Sequence, residues 1–209
     1  MEKLDLKKQY KSLYNPSAKV NTIIDIPPLK YIMVDGHGDP NTAPVYVEAI
    51  QTLYSLAYTL KFHCKAAIEK DYTVMGLEGL WWVPDMSTFS TAKKSDWDWT
   101  MMIMQPDFIT PELFEEARNK AVAKGKAPLA EIARLETYNE GTSVQIMYYG
   151  PYADEGPTIA RMHAYALEQG YVLDGKHHEI YMSDARKVAP EKNKTIIRQP
   201  IRKKPIEQN

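Results

Sequence analysis

The two halves of this chain show the same order of predicted secondary structure, which is strand, helix, strand, strand. In the first half, apolar and alternating runs predict these elements at 30–35, 43–67, 72–83 and 96–105. In the second half, they predict them at 141–149, 158–169, 177–183 and 194–202. A turn follows the first strand of each half, at 36–41 and at 150–157. We therefore predict an α+β fold of duplicated strand-helix-strand-strand modules with pseudo-two-fold symmetry.

The predicted domain organisation follows from this repeat. Residues 1–18 form a polar lead-in, and 19–209 form one domain with half-modules at about 19–106 and 137–202. The connection at about 107–136 is expected to be helical, because Thr110 and Pro111 start a helix and Pro128 starts a shorter one. Two half-sheets related in this way would leave a cleft between them, and such junctions are favoured ligand sites.

The charge balance argues against direct nucleic-acid binding. The chain has 26 Lys and Arg residues against 27 Asp and Glu residues, for a net charge of −1. Basic residues gather near the C-terminus, where we expect a solvated tail; they are Arg198, Arg202, Lys203 and Lys204.

The single cysteine and the distribution of apolar residues indicate the cellular compartment in which the protein is expected. Cys64 lies in a helical pattern, so it is expected to be a buried structural thiol and cannot form an internal disulfide. The sequence shows no signal peptide and no membrane span. A reducing cytoplasm is the expected location. An exposed sheet edge could support a homodimer.

Glu179 is the main candidate for a functional residue, because it is an acid in the middle of a predicted strand. On alternating strand geometry it shares a face with His177 and Tyr181. That face is turned either to water or to a pocket. In a pocket, Glu179 would bind a cation or act on water, and apolar surroundings would raise its pKa.

Aromatic residues supply the other candidates. The chain has 14 Tyr and 4 Trp but only 4 Phe, which suits a pocket for a planar or cationic ligand and suits half-buried sheet positions equally well. The tryptophans fall into two clusters, at 81–82 and at 97–99. One tryptophan of each cluster is expected in the cleft, and Trp82 and Trp99 are the predicted ones. Tyr149 is chosen from the 148–149 pair as a partner of Glu179 in catalysis. The other predicted ligand-binding residues are Met101, Tyr152 and Tyr181.

No metal or cofactor is predicted. His177 and His178 are adjacent, so in a strand they point to opposite faces and cannot easily bind one ion. The turn at 36–41 lacks the phosphate-loop pattern, and no nucleophile elbow is present.

Several segments together carry a resemblance to a known family. They are 97–108 (WDWTMMIMQPDF), 149–152 (YGPY), 178–184 (HEIYMSD), 189–192 (APEK) and 198–200 (RQP). In order and spacing, they resemble the GyrI-like small-molecule-binding superfamily, over roughly 19–202. The last two segments are similar to its stand-alone members.

The resemblance implies a function. Some members are effector domains of multidrug-responsive transcription activators, in which an aromatic cleft with a buried glutamate binds planar cations. Others are stand-alone hydrolases that open cyclopropane-bearing genotoxins with a glutamate and aromatic residues, and the namesake protects DNA gyrase. About 20 residues precede the first strand, so an attached DNA-binding domain is not expected. The expected function is hydrolysis or sequestration of planar or cationic toxic compounds, with a non-catalytic sensor or a gyrase-protecting protein as alternatives.

Overall fold

The computed structural model describes residues 2–184 and 186–205. Its strands, in chain order, are β1 (Lys3–Leu4), β2 (Thr22–Ile26), β3 (Leu29–His37), β4 (Asp71–Tyr72), β5 (Glu78–Trp82), β6 (Asp98–Gln105), β7 (Arg134–Tyr138), β8 (Gly141–Tyr149), β9 (Tyr171–Leu173), β10 (His177–Tyr181) and β11 (Lys194–Lys203). Its α-helices are α1 (Leu6–Gln9), α2 (Lys11–Tyr14), α3 (Pro44–Ala67), α4 (Pro111–Ala123) and α5 (Gly156–Glu168). None of these helices has the length and apolar content that a membrane span requires.

The chain forms two compact units, and each contains one predicted module. Unit 1 comprises 1–10 and 28–138, and unit 2 comprises 11–27 and 139–209. Unit 1 contains β3, α3, β5 and β6 in that order, and unit 2 contains β8, α5, β10 and β11. In both modules the second strand pairs with the third, and the third pairs with the first, all antiparallel. The prediction of an α+β fold with strand-helix-strand-strand modules is confirmed.

Unit 1 packs α3 against one face of its sheet. The helix buries an apolar stripe that includes Leu53, Leu56 and Leu60, at the spacing expected of an amphipathic helix. Cys64 extends this stripe, and burial raises the pKa of its thiol to about 11. The prediction of a buried structural thiol is confirmed by the burial of Cys64 in this stripe.

The segment that follows α4 differs from the prediction. A short helix was expected from Pro128, but the structure has turns there and then β7, which pairs antiparallel with β3. Pro128 was misleading because it also suits a turn that lies outside any helix.

Unit 2 includes a strand from the beginning of the chain. Strand β2 pairs antiparallel with β8, although the predicted boundaries placed it in the first half-module. The pairing links residues far apart in sequence, so no local pattern indicates it. On one face of this sheet, α5 packs over a core to which Val144, Ile146 and Ile197 contribute.

Arg198 corrects the prediction of a solvated basic tail. It lies within β11, is 1% exposed, and donates hydrogen bonds to Glu140 Oε2 at 3.0 Å and to Gln145 Oε1 at 3.0 and 3.1 Å. It also donates to the carbonyl oxygen of Leu13 at 2.9 Å, so it joins the N-terminal part of unit 2 to the sheet. His178 Nδ1 lies 2.8 Å from Glu140 Oε1 in the same buried network. A buried guanidinium requires partners of this kind.

This network predicts a loss of stability in acid. Burial opposes ionisation of Glu140, but the charges and hydrogen bonds of His178 and Arg198 outweigh it and lower its pKa from 4.5 to about 2. The folded state therefore binds this proton less tightly than the unfolded state, so the stabilisation is complete above about pH 4.5 and is lost as the pH falls toward 2. Between pH 7 and pH 3 we expect Glu140 to account for about 2 kcal/mol of lost unfolding free energy.

Urea unfolding at a series of pH values measures this effect. Glu140→Gln is the comparison, because it removes the titrating group. The variant is expected to be less stable at neutral pH but to lose about 2 kcal/mol less between pH 7 and pH 3. Parallel pH dependences for the two proteins would contradict the assignment.

Candidate functional site

Glu179 lies in a partly covered site on the α5 face of unit 2. Its register partner in β11 is Ile197, which belongs to the core under α5, so Glu179 is on that same face. Tyr181 Oη donates a hydrogen bond to Glu179 Oε2 at 2.8 Å, and His177 Nε2 lies 3.3 Å from Glu179 Oε1. The predicted sharing of one face by these residues is confirmed. The Glu179 side chain is 17% exposed, so it is neither sealed in the core nor fully in water.

Glu155 is a second carboxyl group near this site, and it was not predicted from the sequence. It lies between a 3-10 helix (Tyr152–Asp154) and α5, and it is 3% exposed. Its side chain makes no capping hydrogen bond to α5. Its charge acts instead on the hydroxyls of Tyr148 and Tyr152: burial raises the pKa of both, and this charge raises it further. The only signal in the sequence was an acidic pair in a turn, at 154–155, and acids before a helix are common as caps.

The electrostatics of Glu179 differ from the expectation. A raised pKa was expected from apolar surroundings. Burial does act in that direction, but the contact and charge of His177 and the hydrogen bond that Tyr181 donates outweigh it and lower the pKa of Glu179. The group is therefore a carboxylate at neutral pH, suited to binding a cation or orienting water and not to donating a proton.

Tyr152 extends the site toward solvent. Its ring packs edge-to-face against that of Tyr181, with centroids 5.7 Å apart, and the residue is 41% exposed. Burial of its hydroxyl and the charges of Glu179, Glu155 and Asp184 raise the pKa of Tyr152 to about 12. The hydroxyl consequently keeps its proton and can donate a hydrogen bond.

Tyr149 does not lie beside Glu179. Strand alternation places Tyr148 on the face of Glu179 and turns Tyr149 to the other face, where it is 54% exposed and Lys194 lies 5.6 Å from its ring centroid. Tyr148 Oη donates to the carbonyl oxygen of Pro151 at 3.1 Å. Of the two tyrosines, Tyr148 therefore supports the turn that carries Tyr152. The predicted catalytic role of Tyr149 as a partner of Glu179 does not agree with this position, because the two side chains lie on opposite faces of the sheet.

The remaining predicted residues lie in unit 1. Trp99 is fully buried, packs edge-to-face against Tyr46 of α3, and donates from Nε1 to the carbonyl oxygen of Gly38 at 3.2 Å. Met101 is also fully buried on that face, close to Gly79. Trp82 is half-buried, and alternation turns it to the opposite face from Trp81, which packs near Tyr46. For Trp82, Trp99 and Met101 ligand binding stays a prediction, and the structure gives Trp99 and Met101 a packing role.

One further histidine lies near the site. Burial and the charge of His177 lower the pKa of His163, on α5, to about 4, so it is neutral at physiological pH. No cluster of three or more His, Cys, Asp or Glu side chains suited to hold a metal ion occurs in residues 2–184 and 186–205.

Comparison with known proteins agrees with this fold. The model of the GyrI-like small molecule binding domain matches residues 21–202. An uncharacterized conserved protein from Listeria innocua is 38% identical, with a TM-score of 0.89, over 96% of this chain and 100% of that chain. A hydrolase from Listeria innocua is 36% identical, with a TM-score of 0.85 and the same coverage of both chains.

More distant relatives share the fold alone. The C-terminal domain of EcmrR is 13% identical, with a TM-score of 0.59, over 88% of this chain and 98% of that domain. No curated protein sequence matches the chain. The match to the family model spans most of the sequence, and the chain therefore belongs to the GyrI-like small molecule binding domain family.

Proposed function

We propose that the Glu179 site binds a planar small molecule and hydrolyses a strained electrophile of the cyclopropane-bearing alkylator class. The observation that carries this proposal is a partly exposed carboxylate held ionised by Tyr181 and His177 beside the open ring of Tyr152. Such a group accepts a hydrogen bond from water, and the tyrosine ring offers a surface for a flat ligand. Likeness to a Listeria innocua protein described as a hydrolase supports the same reaction class.

The proposed step is addition of water to the strained ring. The water oxygen bonds to a ring carbon while a ring carbon–carbon bond breaks. The electron pair of that bond moves to the conjugated carbonyl oxygen, which becomes a hydroxyl group on protonation. Glu179 takes a proton from the attacking water, and the tyrosines hold the substrate in place. Relief of ring strain already favours the reaction, so orientation and proton transfer are sufficient assistance.

Mass spectrometry with a cyclopropane-bearing planar alkylator tests the proposal. Wild type is expected to yield a product heavier by one water, and Glu179→Gln is expected to lower turnover by at least about 100-fold while it still binds substrate, because an amide cannot accept the proton. Glu168→Gln is the matched control, since Glu168 is an exposed acid on α5 of the same unit. Unchanged turnover in Glu179→Gln would contradict the assignment of Glu179.

A second function is favoured by the ionised state of Glu179. A carboxylate beside the rings of Tyr152 and Tyr181 suits a planar cation that is bound without chemistry, as in sensing or sequestration. In that case wild type binds a planar cation such as a phenanthridinium dye, Glu179→Gln binds it more weakly, and the ligand is recovered unchanged. The cytoplasmic location and the homodimer remain predictions.

A further inference from the structure

We propose that helix α3 packs against α3 of a second copy of this chain, antiparallel and about a two-fold axis, to form a homodimer. An exposed sheet edge was the surface predicted for a dimer from the sequence, whereas this surface is the outer face of a helix in unit 1. The proposal does not depend on the hydrolysis proposed for the Glu179 site.

The outer face of α3 is apolar, as is its inner face, which is buried against the sheet. On the outer face, Val47, Tyr58 and Phe62 are 63%, 49% and 61% exposed. Residues three or four positions apart lie on the same side of a helix. Together with Gln51 and Tyr54, these three residues therefore form one continuous band along α3, which we call the outer stripe.

The outer stripe has the composition of a protein interface. Tyrosine and phenylalanine are enriched at the centre of such interfaces, where lysine and glutamate are depleted. None of the five side chains of the outer stripe is charged. The rings of Tyr54 and Tyr58 stack with their centroids 6.4 Å apart, so they present one aromatic surface. Removing such a surface from water favours association with another apolar surface.

The spacing of the outer stripe favours a helix as the partner. Its residues follow one another at intervals of four, three, four and four positions. This spacing is close to the seven-residue repeat of helices that pack side by side at a small crossing angle. At a rise of about 1.5 Å per residue, the stripe is about 22 Å long, and a helix as long as α3 covers it completely.

The order of residues makes the outer stripe complementary to itself in the antiparallel direction. Val47 and Phe62 are equally far in sequence from the midpoint of the stripe, and so are Gln51 and Tyr58. A two-fold axis through this midpoint places Val47 opposite Phe62 of the second copy and Gln51 opposite its Tyr58. Each aromatic side chain then faces a smaller one, as close packing of two helices requires.

The charges at the two ends of α3 favour the same orientation. Glu48 is exposed near the N-terminal end, and the Lys65 side chain is 53% exposed near the C-terminal end. Lys61 and Lys65 share one carboxylate, that of Asp71, so this end retains a positive charge. An antiparallel pair brings Glu48 of each copy to the end that carries Lys65 of the other, whereas a parallel pair brings like charges together.

Sedimentation of the full chain tests the dimer. At about 100 μM, a concentration suited to a small interface, wild type is expected to have twice the mass of one chain. Phe62→Glu should have the mass of one chain, because it buries an unpaired charge in the contact. Val122→Glu is the matched control, since Val122 is 52% exposed on α4 of the same unit, and it should remain a dimer.

Two results would overturn the proposal. A monomeric wild type would mean that the outer stripe binds a different partner. A dimer that persists in Phe62→Glu would assign the contact to another surface, such as the sheet edge. Circular dichroism checks that each variant is folded.

Charge reversal tests the antiparallel orientation and leaves the outer stripe intact. Glu48→Lys and Lys65→Glu are each expected to weaken the dimer about tenfold, because each dimer contains two such contacts and both become repulsive. Combining the two substitutions should restore the affinity, since the charges are then exchanged in both copies. A double variant that dimerises more weakly than either single variant would contradict the antiparallel arrangement.

Discussion

Replacing Arg198 by methionine is expected to lower the free energy of unfolding by about 3–5 kcal/mol. The side chain is 1% exposed, and its hydrogen bonds to Glu140, Gln145 and the Leu13 carbonyl would all be lost. Glu140 would keep only the hydrogen bond to His178 among these contacts, so a buried carboxylate would lose most of its compensation. The methionine side chain is similar in length to that of arginine, so the substitution leaves little empty volume and adds little to the loss of stability.

Chemical unfolding at pH 7 measures this loss. Arg202→Met is the matched control, because Arg202 is in the same strand but is exposed, with its Nε 3.8 Å from an Asp174 oxygen. That variant is expected to change stability by no more than about 0.5 kcal/mol. Adding Glu140→Gln to Arg198→Met should recover part of the loss, since it removes the uncompensated charge. A loss below about 1 kcal/mol for Arg198→Met would contradict a stabilising role.

Replacing Gly36 by alanine is expected to destabilise the protein by about 3 kcal/mol, at the upper end of the overpacking range. A Cβ atom at this position would lie 2.1–2.6 Å from ring carbons of Trp99, its cross-strand partner. The indole cannot move away easily, because it is fully buried, packs against Tyr46, and donates a hydrogen bond to Gly38. The glycine is therefore required by close approach of the ring and not by backbone conformation.

Thermal or urea unfolding of Gly36→Ala gives the measurement. Gly156→Ala is the matched control, since Gly156 begins α5 and, apart from its chain neighbours and the backbone of its own helix, nothing lies within 4 Å of the added Cβ. Its stability is expected to stay the same or to rise slightly, because alanine has the higher helix propensity. A Gly36→Ala protein as stable as wild type would mean that the Trp99 ring has room to shift.

The features that depend only on the local alternation of residues along a strand could be predicted from the sequence. Alternation along one strand correctly places Glu179 with His177 and Tyr181, because the period of a strand is fixed by backbone geometry. The same rule could not choose between Tyr148 and Tyr149. It shows only that the two residues face opposite ways, and the choice of the side facing Glu179 depends on pairing with β11.

Features that depend on distant pairing or on side-chain partners were not predictable. The partner of β2 lies more than a hundred residues away, and the basic cluster gave no sign that Arg198 would be buried against Glu140. Glu155 lies in a turn, where no periodicity shows the direction of a side chain. The direction of the Glu179 pKa shift was also unpredictable, because it depends on how closely His177 and Tyr181 contact the carboxyl group, and these contacts outweigh the effect of burial.

The composition of unit 2 has a consequence for biosynthesis. Strand β2 leaves the ribosome before all of the main segment of unit 1, yet its partner β8 and the β11 residue Arg198 are made much later. Until then, the isoleucines of this nascent strand have no sheet to join. The sheet of unit 2 consequently cannot close around β2 until β8 and β11 have been made, so this pairing waits for the synthesis of more than a hundred intervening residues.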